Sequence, residues 1–219
     1  MVPSLLPASN RLQNRAGELD RSLAYNTYSD MTYDREIALK DQFNQFFEQF
    51  GIVDLYSELS NNQLISLKKL LSCINNMITL RATDSFVLKI YQDGLISGLE
   101  KDAIWKDVHA QHANTNGFDV HFESKRTKII AEIKCNIPVN GTSFGAAQEE
   151  GILDDIDHLL HGKAKANIAD ISAYYKFMVI LDCEHAEESM DKIIHKTEHV
   201  KRYTFPNELD TNNVFVIYV

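Results

Sequence analysis

Residues 117–135 read GFDVHFESKRTKIIAEIKC, two short runs of alternating apolar and polar residues joined by Ser124-Lys125-Arg126-Thr127. Side chains two apart in a strand share a face, so the alternation predicts two strands, each with one apolar and one polar side. Phe118, Val120 and Phe122 fall with Ile129, Ala131 and Ile133 on one face. Asp119, His121 and Glu123 fall with Ile130, Glu132 and Lys134 on the other. The polar link is of hairpin length, which sets Glu123 opposite Lys128 and, counting back along the ladder, Asp119 opposite Glu132.

Like charges facing each other across two strands repel, so a cation is expected between Asp119 and Glu132. Mg²⁺ suits the position: it takes hard oxygen ligands, usually one or two carboxylates, and leaves its other positions to water and phosphate oxygens. Lys134 follows Glu132 by two residues and projects from the same face, where it can approach such a water or phosphate.

Asp119 followed on the next strand by Glu132-Ile133-Lys134 resembles the PD-(D/E)XK motif of the restriction-endonuclease-like nuclease superfamily. The resemblance implies an α/β fold, a restriction-endonuclease-like mixed β-sheet flanked by helices in the order helix, three strands, helix, strand, here with an N-terminal helical addition. It implies Asp119 and Glu132 as Mg²⁺ ligands, with Mn²⁺ as a substitute, the backbone carbonyl of Ile133 as a further ligand, and Lys134 as the group that positions or deprotonates the attacking water. Phe118 stands where many members carry proline. Some exonuclease branches carry a glutamine and, four residues later, a tyrosine on the following helix. Gln148 matches the glutamine, and Ile152 stands in the tyrosine position. Glu100 is the nearest match to an acidic residue that often precedes the first core strand.

The kind of member most resembled is a type II restriction endonuclease, a homodimer that cuts DNA. An exonuclease or RNA-processing nuclease on the same core is the alternative within the superfamily. A nucleic-acid-binding module that keeps the fold without the chemistry is the alternative outside catalysis.

The 219 residues are 44% apolar, enough for one sizeable core, and the net charge is −9. That balance argues against a nonspecific coat on nucleic acid, whose affinity rests on many Lys and Arg contacts to phosphate. It leaves room for a nuclease whose basic residues are confined to one cleft. The cysteines Cys73, Cys135 and Cys183 are too scattered for a disulfide framework or zinc cluster, which fits a reducing cytoplasm. No segment carries the apolar length of a membrane span or of a signal sequence, so no membrane partner is expected.

Along the chain, residues 1–83 read as an arm followed by a helical region, and 84–219 as the nuclease-like core with a C-terminal helix and strand, the whole forming one compact domain. The arm has one short helix around Leu12–Leu23. Ile37, Leu39, Phe43, Phe46, Phe47 and Phe50 recur at helical spacing up to Gly51, a stripe for the core or for a subunit contact. A second helix runs from Ser60 through Ile78 and a third from Asp84 through Ile96. Ile104–Ala110 is expected as the first core strand, with His109, Gln111 and His112 at the cleft mouth. A helix from Ser143 to His161 ends at Gly162 and carries Asp154, Asp157, His158 and His161 outward, at a spacing that suits metal ligands and, more simply, a solvated face. Lys163 and Lys165 follow as candidates for phosphate-backbone contacts. Lys176–Cys183 is a strand buried on both faces. A helix over Ala186–Arg202, basic on its outer face, and a strand over Val214–Val219 close the chain.

Overall fold

The computed structural model describes residues 35–111, 117–139, 143–166, 168–204 and 209–219. The expected arm with its Leu12–Leu23 helix, and His112 at the expected cleft mouth, lie outside the described residues. The chain divides into two compact units, one ending at Asn62 and one running from Gln63 to Val219.

In the first unit, α1 (Arg35–Glu48) carries the expected aromatic stripe. Phe43 and Phe47 lie 4.8 Å apart, and Phe46 meets Phe47 edge-on at 5.1 Å and Phe50 tilted at 5.5 Å. A short turn of helix, α2 (Leu55–Glu58), folds back on α1. Asn44 donates to Asp54 at 2.8 Å, Lys40 donates to Ser57 at 2.9 Å, and the Tyr56 ring meets Phe43 at 6.1 Å.

The second unit is a mixed α/β fold around a five-stranded sheet in the order β1-β2-β3-β5-β4. The strands are β1 (Val120–Glu123), β2 (Lys128–Lys134), β3 (Tyr175–Ile180), β4 (Val200–Arg202) and β5 (Val214–Tyr218). β1 and β2 form the antiparallel hairpin with Glu123 opposite Lys128, as the length of the link requires. Ser124 closes that link: its N–H donates to the Thr127 carbonyl at 2.8 Å, and its Oγ accepts from the N–H groups of Arg126 and Thr127. The other pairings, β2 with β3, β3 with β5, and β4 with β5, are parallel.

Helices cover both faces, so β2, β3 and β5 are nearly continuous apolar runs. On one face Ile129, Ala131, Ile133, Phe177, Val179, Phe215 and Ile217 pack against α3 (Asn61–Gln92) and α4 (Gly98–Ala110) through Phe86, Val87, Ile90 and Ile104. Phe86 and Phe177 meet at the centre of that layer, 5.2 Å apart. On the other face Ile130, Met178, Ile180, Val214 and Val216 pack against α5 (Ala146–His161) and α6 (Ala186–Ile194) through Ile152, Ile156, Leu159, Met190 and Ile193.

Four expectations are corrected. Ile104–Ala110 belongs to helix α4, not to a strand. Its start is fixed by a capping box in which Ser97 Oγ accepts from the Glu100 N–H and the Glu100 carboxylate accepts from the Ser97 N–H. The two helices expected between Ser60 and Ile96 are one 32-residue helix, α3, because Leu80-Arg81-Ala82-Thr83 contains nothing that breaks helical hydrogen bonding. The helix expected over Ala186–Arg202 stops at Ile194, and Val200–Arg202 pairs with β5 as an edge strand. Phe118 packs with the α5 side of the sheet, away from Val120, because it precedes the strand whose alternation would have set its face.

Candidate active site between the hairpin and helix α5

The polar face of the hairpin lies under α5, where an otherwise apolar layer is interrupted by five charged side chains. Asp119 stands one residue before β1, Glu132 and Lys134 project from β2, Asp155 comes from α5, and Lys163 follows the end of α5. The ladder puts Val120 opposite Ala131, so its continuation places Asp119 at the level of Glu132. Asp119 Oδ2 bends toward the backbone and accepts from the Ile133 N–H at 2.7 Å, taking the place of a ladder bond just where β1 has not yet begun. Ile133 thus contributes its amide to holding Asp119.

The two lysines each hold a carboxylate. Lys134 Nζ lies 2.5 Å from Asp155 Oδ2, and Lys163 Nζ lies 2.5 Å from Glu132 Oε1. Lys163 also donates to the Gly117 carbonyl at 3.0 Å and sits over the Phe118 ring at 5.2 Å. It reaches the site because Gly162 takes φ 95° and ψ 154° after the last turn of α5, a conformation open essentially to glycine alone, which turns the next residue back over the hairpin.

Glu132 is 4% exposed, and its Oε1 has no aligned hydrogen-bond donor. The Lys163 ammonium is close enough for an ion pair but lies outside hydrogen-bond directions. Burial, and then the neighbouring Asp119 charge, push the Glu132 carboxyl from its ordinary 4.5 up to about 8, against the pull of Lys163. Burial likewise raises Asp119, with the Ile133 N–H and Lys163 pulling it down and Asp155 pushing it up. The site therefore holds more carboxylate than its ammonium groups neutralise.

That surplus fits a divalent cation held by Asp119 and Glu132. Among the described residues no group of three or more His, Cys, Asp or Glu side chains is arranged as a metal site. A cation here would take two protein carboxylates and fill its other positions with water or substrate oxygens, the habit of Mg²⁺ rather than of Zn²⁺.

Two further residues named from the sequence are engaged elsewhere. Gln148 Oε1 accepts from the Gly145 N–H at 3.0 Å and its Nε2 donates to the Ile137 carbonyl at 3.3 Å, so its amide caps the start of α5. Glu100 closes the α4 capping box and accepts from Ser124 Oγ at 2.7 Å, bracing the hairpin turn. On the outer side of α5, Asp154 and Asp157 are exposed, His161 lies 3.6 Å from Asp157, and His158 turns toward Asp155 at 3.7 Å. Asp155 is the site residue that the sequence reading passed over, and Lys163, named there only as a candidate for phosphate-backbone contacts, stands beside Glu132. The available signal for Asp155 was an acidic residue between Leu153 and Ile156, inside the apolar stripe of α5. For Lys163 it was a position directly after a helix-ending glycine.

Comparison with protein-family models, curated proteins and solved structures finds no match for this chain.

Proposed function

We propose that this site hydrolyses phosphodiester bonds of nucleic acid with a bound Mg²⁺, and that the protein is a DNA endonuclease of the restriction type. The observation that carries the reading is a carboxylate pair, the buried Glu132 of β2 beside the half-buried Asp119 just ahead of β1, under-neutralised by its surroundings, with Lys134 two residues beyond Glu132 on the same face. A restriction-endonuclease-like core accounts for the mixed sheet and for the helix between β2 and β3, with the first strand of that core replaced by α4.

In this reading Asp119 and Glu132 hold the cation, which supplies Lewis-acid polarisation of the scissile phosphate and a lowered pKa for bound water. The protein groups do the rest. Asp119 is fixed by the Ile133 amide, so its second oxygen is presented in one direction. Lys134 is oriented by Asp155 and offers Nζ–H groups to the attacking water or to a phosphate oxygen, placing the water in line and stabilising negative charge on the non-bridging oxygens. Lys163 stands beside Glu132, and its ammonium is a donor for a non-bridging phosphate oxygen.

Closed circular DNA incubated with Mg²⁺ should give discrete linear products, and Lys134→Ala should abolish cutting while leaving metal binding intact. Digestion of linear ends alone, or of RNA alone, moves the assignment to the exonuclease or RNA-processing alternative. Cleavage by Lys134→Ala at the wild-type rate removes the lysine from the mechanism. Failure to cut any nucleic acid with metal bound favours a binding module.

A further inference from the structure

Two carboxylates brought to one level of the hairpin call for a cation beside them, and the fold already supplies one. Lys163 Nζ stands 2.5 Å from Glu132 Oε1 and donates to the Gly117 carbonyl at 3.0 Å. Burial raises the Asp119 carboxyl, and after the Ile133 N–H it is Lys163 that draws it back most. A carboxylate oxygen and a backbone carbonyl are oxygen ligands of the kind Mg²⁺ takes, here gathered around an ammonium group.

That ammonium is placed so that it can leave. Glu132 Oε1 has no aligned donor, so the contact is one of charge without a directed hydrogen bond. Holding a flexible four-carbon stem in one conformation costs side-chain entropy, which release returns. The stem also has somewhere to go. It forms part of the wall of a cavity of about 520 Å³, open to solvent and lined further by His161, Gly162, Ala164, Ile168 and Ala169. Glycine and two alanines leave that space free, so rotation of the Lys163 side chain alone takes Nζ off Glu132. Lys134, the other lysine of the cluster, is tied to Asp155 instead.

We propose that Lys163 is the built-in occupant of the cation position: its ammonium competes with a divalent metal for Glu132, and the metal enters as the ammonium withdraws into the neighbouring cavity. A metal ion at Glu132 Oε1 cannot share that oxygen with an ammonium 2.5 Å away, and like charges in a buried setting repel strongly. A residue outside the hairpin thus sets the affinity of ligands that lie within it. Apparent affinity falls with the fraction of molecules whose position is open, so a position open one-tenth of the time binds metal about tenfold more weakly than one always open. The competition rests on the Mg²⁺ reading of Asp119 and Glu132 and is independent of which nucleic acid is cut.

Mn²⁺ titration of the full chain at pH 8.5, read by the electron paramagnetic resonance of the free ion, should show about tenfold tighter binding to Lys163→Met than to wild type. Lys134→Met removes an equal charge from the same cluster without opening the position, and should tighten binding less. In wild type, acylation of Lys163 by a succinimidyl ester, located by mass spectrometry, should accelerate several-fold in excess Mg²⁺, with the exposed Lys165 as the internal reference. Equal Mn²⁺ affinity of wild type and Lys163→Met overturns the competition and leaves the metal site standing. Equal tightening by the two methionine variants overturns it as well, since charge alone would then account for the effect. A Lys163 that stays as protected with metal bound as without overturns it even if Lys163→Met does not fold. Failure of every protein to bind Mn²⁺ overturns the competition and the metal reading together.

Discussion

Replacing Glu132 by Gln in the metal-free protein separates a functional carboxylate from a structural one. A side chain 4% exposed beside Asp119 is held protonated in the native state up to about pH 8, whereas the unfolded chain ionises near 4.5. Between those values the native state binds more protons, so stability falls as pH rises. The slope approaches about 1.4 kcal/mol per pH unit for one proton, and the contribution is fully present below about 4.5 and lost as pH passes about 8. Over the whole interval the cost is at most about 5 kcal/mol. Glutamine keeps the shape and removes that cost, which is already net of the pull that Lys163 exerts on the ionised carboxyl. At pH 8.5 Glu132→Gln should therefore be more stable than wild type by at most about 5 kcal/mol, or about 10–20 °C in melting temperature for a domain of this size. At pH 5 that advantage should be gone, because the wild-type carboxyl is protonated in the native state. Thermal and urea unfolding in EDTA at pH 5, 7 and 8.5 measure both. A variant that is less stable than wild type at pH 8.5 would refute the argument and make Glu132 a structural partner of Lys163.

The same proton governs metal binding. Because Glu132 must ionise to hold a cation, Mg²⁺ affinity should rise nearly tenfold per pH unit from pH 6 to about 8 and then level off, with about one proton released per ion below pH 8. Calorimetry in buffers of different ionisation enthalpy reads that proton, and pH-independent affinity would contradict it. Gly162→Ala should cost about 1–3 kcal/mol of stability, because the added Cβ has room, with Ile171 Cδ1 at 3.6 Å, while the backbone at φ 95° does not suit alanine. It should also broaden the NMR signal of Lys163 Nζ, and an unstrained, fully stable variant would show that glycine is dispensable there.

Much of the fold was legible because the hairpin is governed by local rules. A period of two, a polar link of four residues and β-branched Ile129, Ile130 and Ile133 agree with one another, so register and the level of Asp119 followed from counting. The errors lie where local signals were short or silent. The run from Ile104 to Ala110 carries too few apolar residues for a period to decide between strand and helix, while the deciding signal, Ser97 with Glu100 three residues later, lay upstream and was read as a candidate acid. Between Ile194 and Val200 no glycine or proline marks the end of α6. The chain turns through His199 at φ 61°, a left-handed conformation uncommon outside glycine and one that no neighbouring residue announces. Asp155 and Lys163 are brought to the hairpin by the packing of α5 on the sheet, which no spacing within β1 or β2 encodes. Gln148 and Glu100 had the residue type expected of a site, and their hydrogen bonds go to helix starts.

Asp155 and Lys163 also give Lys134 and the buried Glu132 opposite charges beside them. Asp119, Glu132 and Asp155 outnumber Lys134 and Lys163 by one charge, and a proton retained on Glu132 balances the cluster in the metal-free protein. In the proposed function, exchange of that proton for a divalent cation would leave the site with one net positive charge, matched to one phosphodiester. A cluster with Asp119, Glu132 and Lys134 alone would be negative by one charge without metal and would gain the same net charge with it, but Lys134 would have no carboxylate to aim it. Asp155 thus supplies direction, and Lys163 restores the charge that Asp155 takes away. The hairpin by itself supplies the carboxylates and Lys134, and α5 with the residue after it gives Lys134 and Glu132 each a charged partner at no change in net charge.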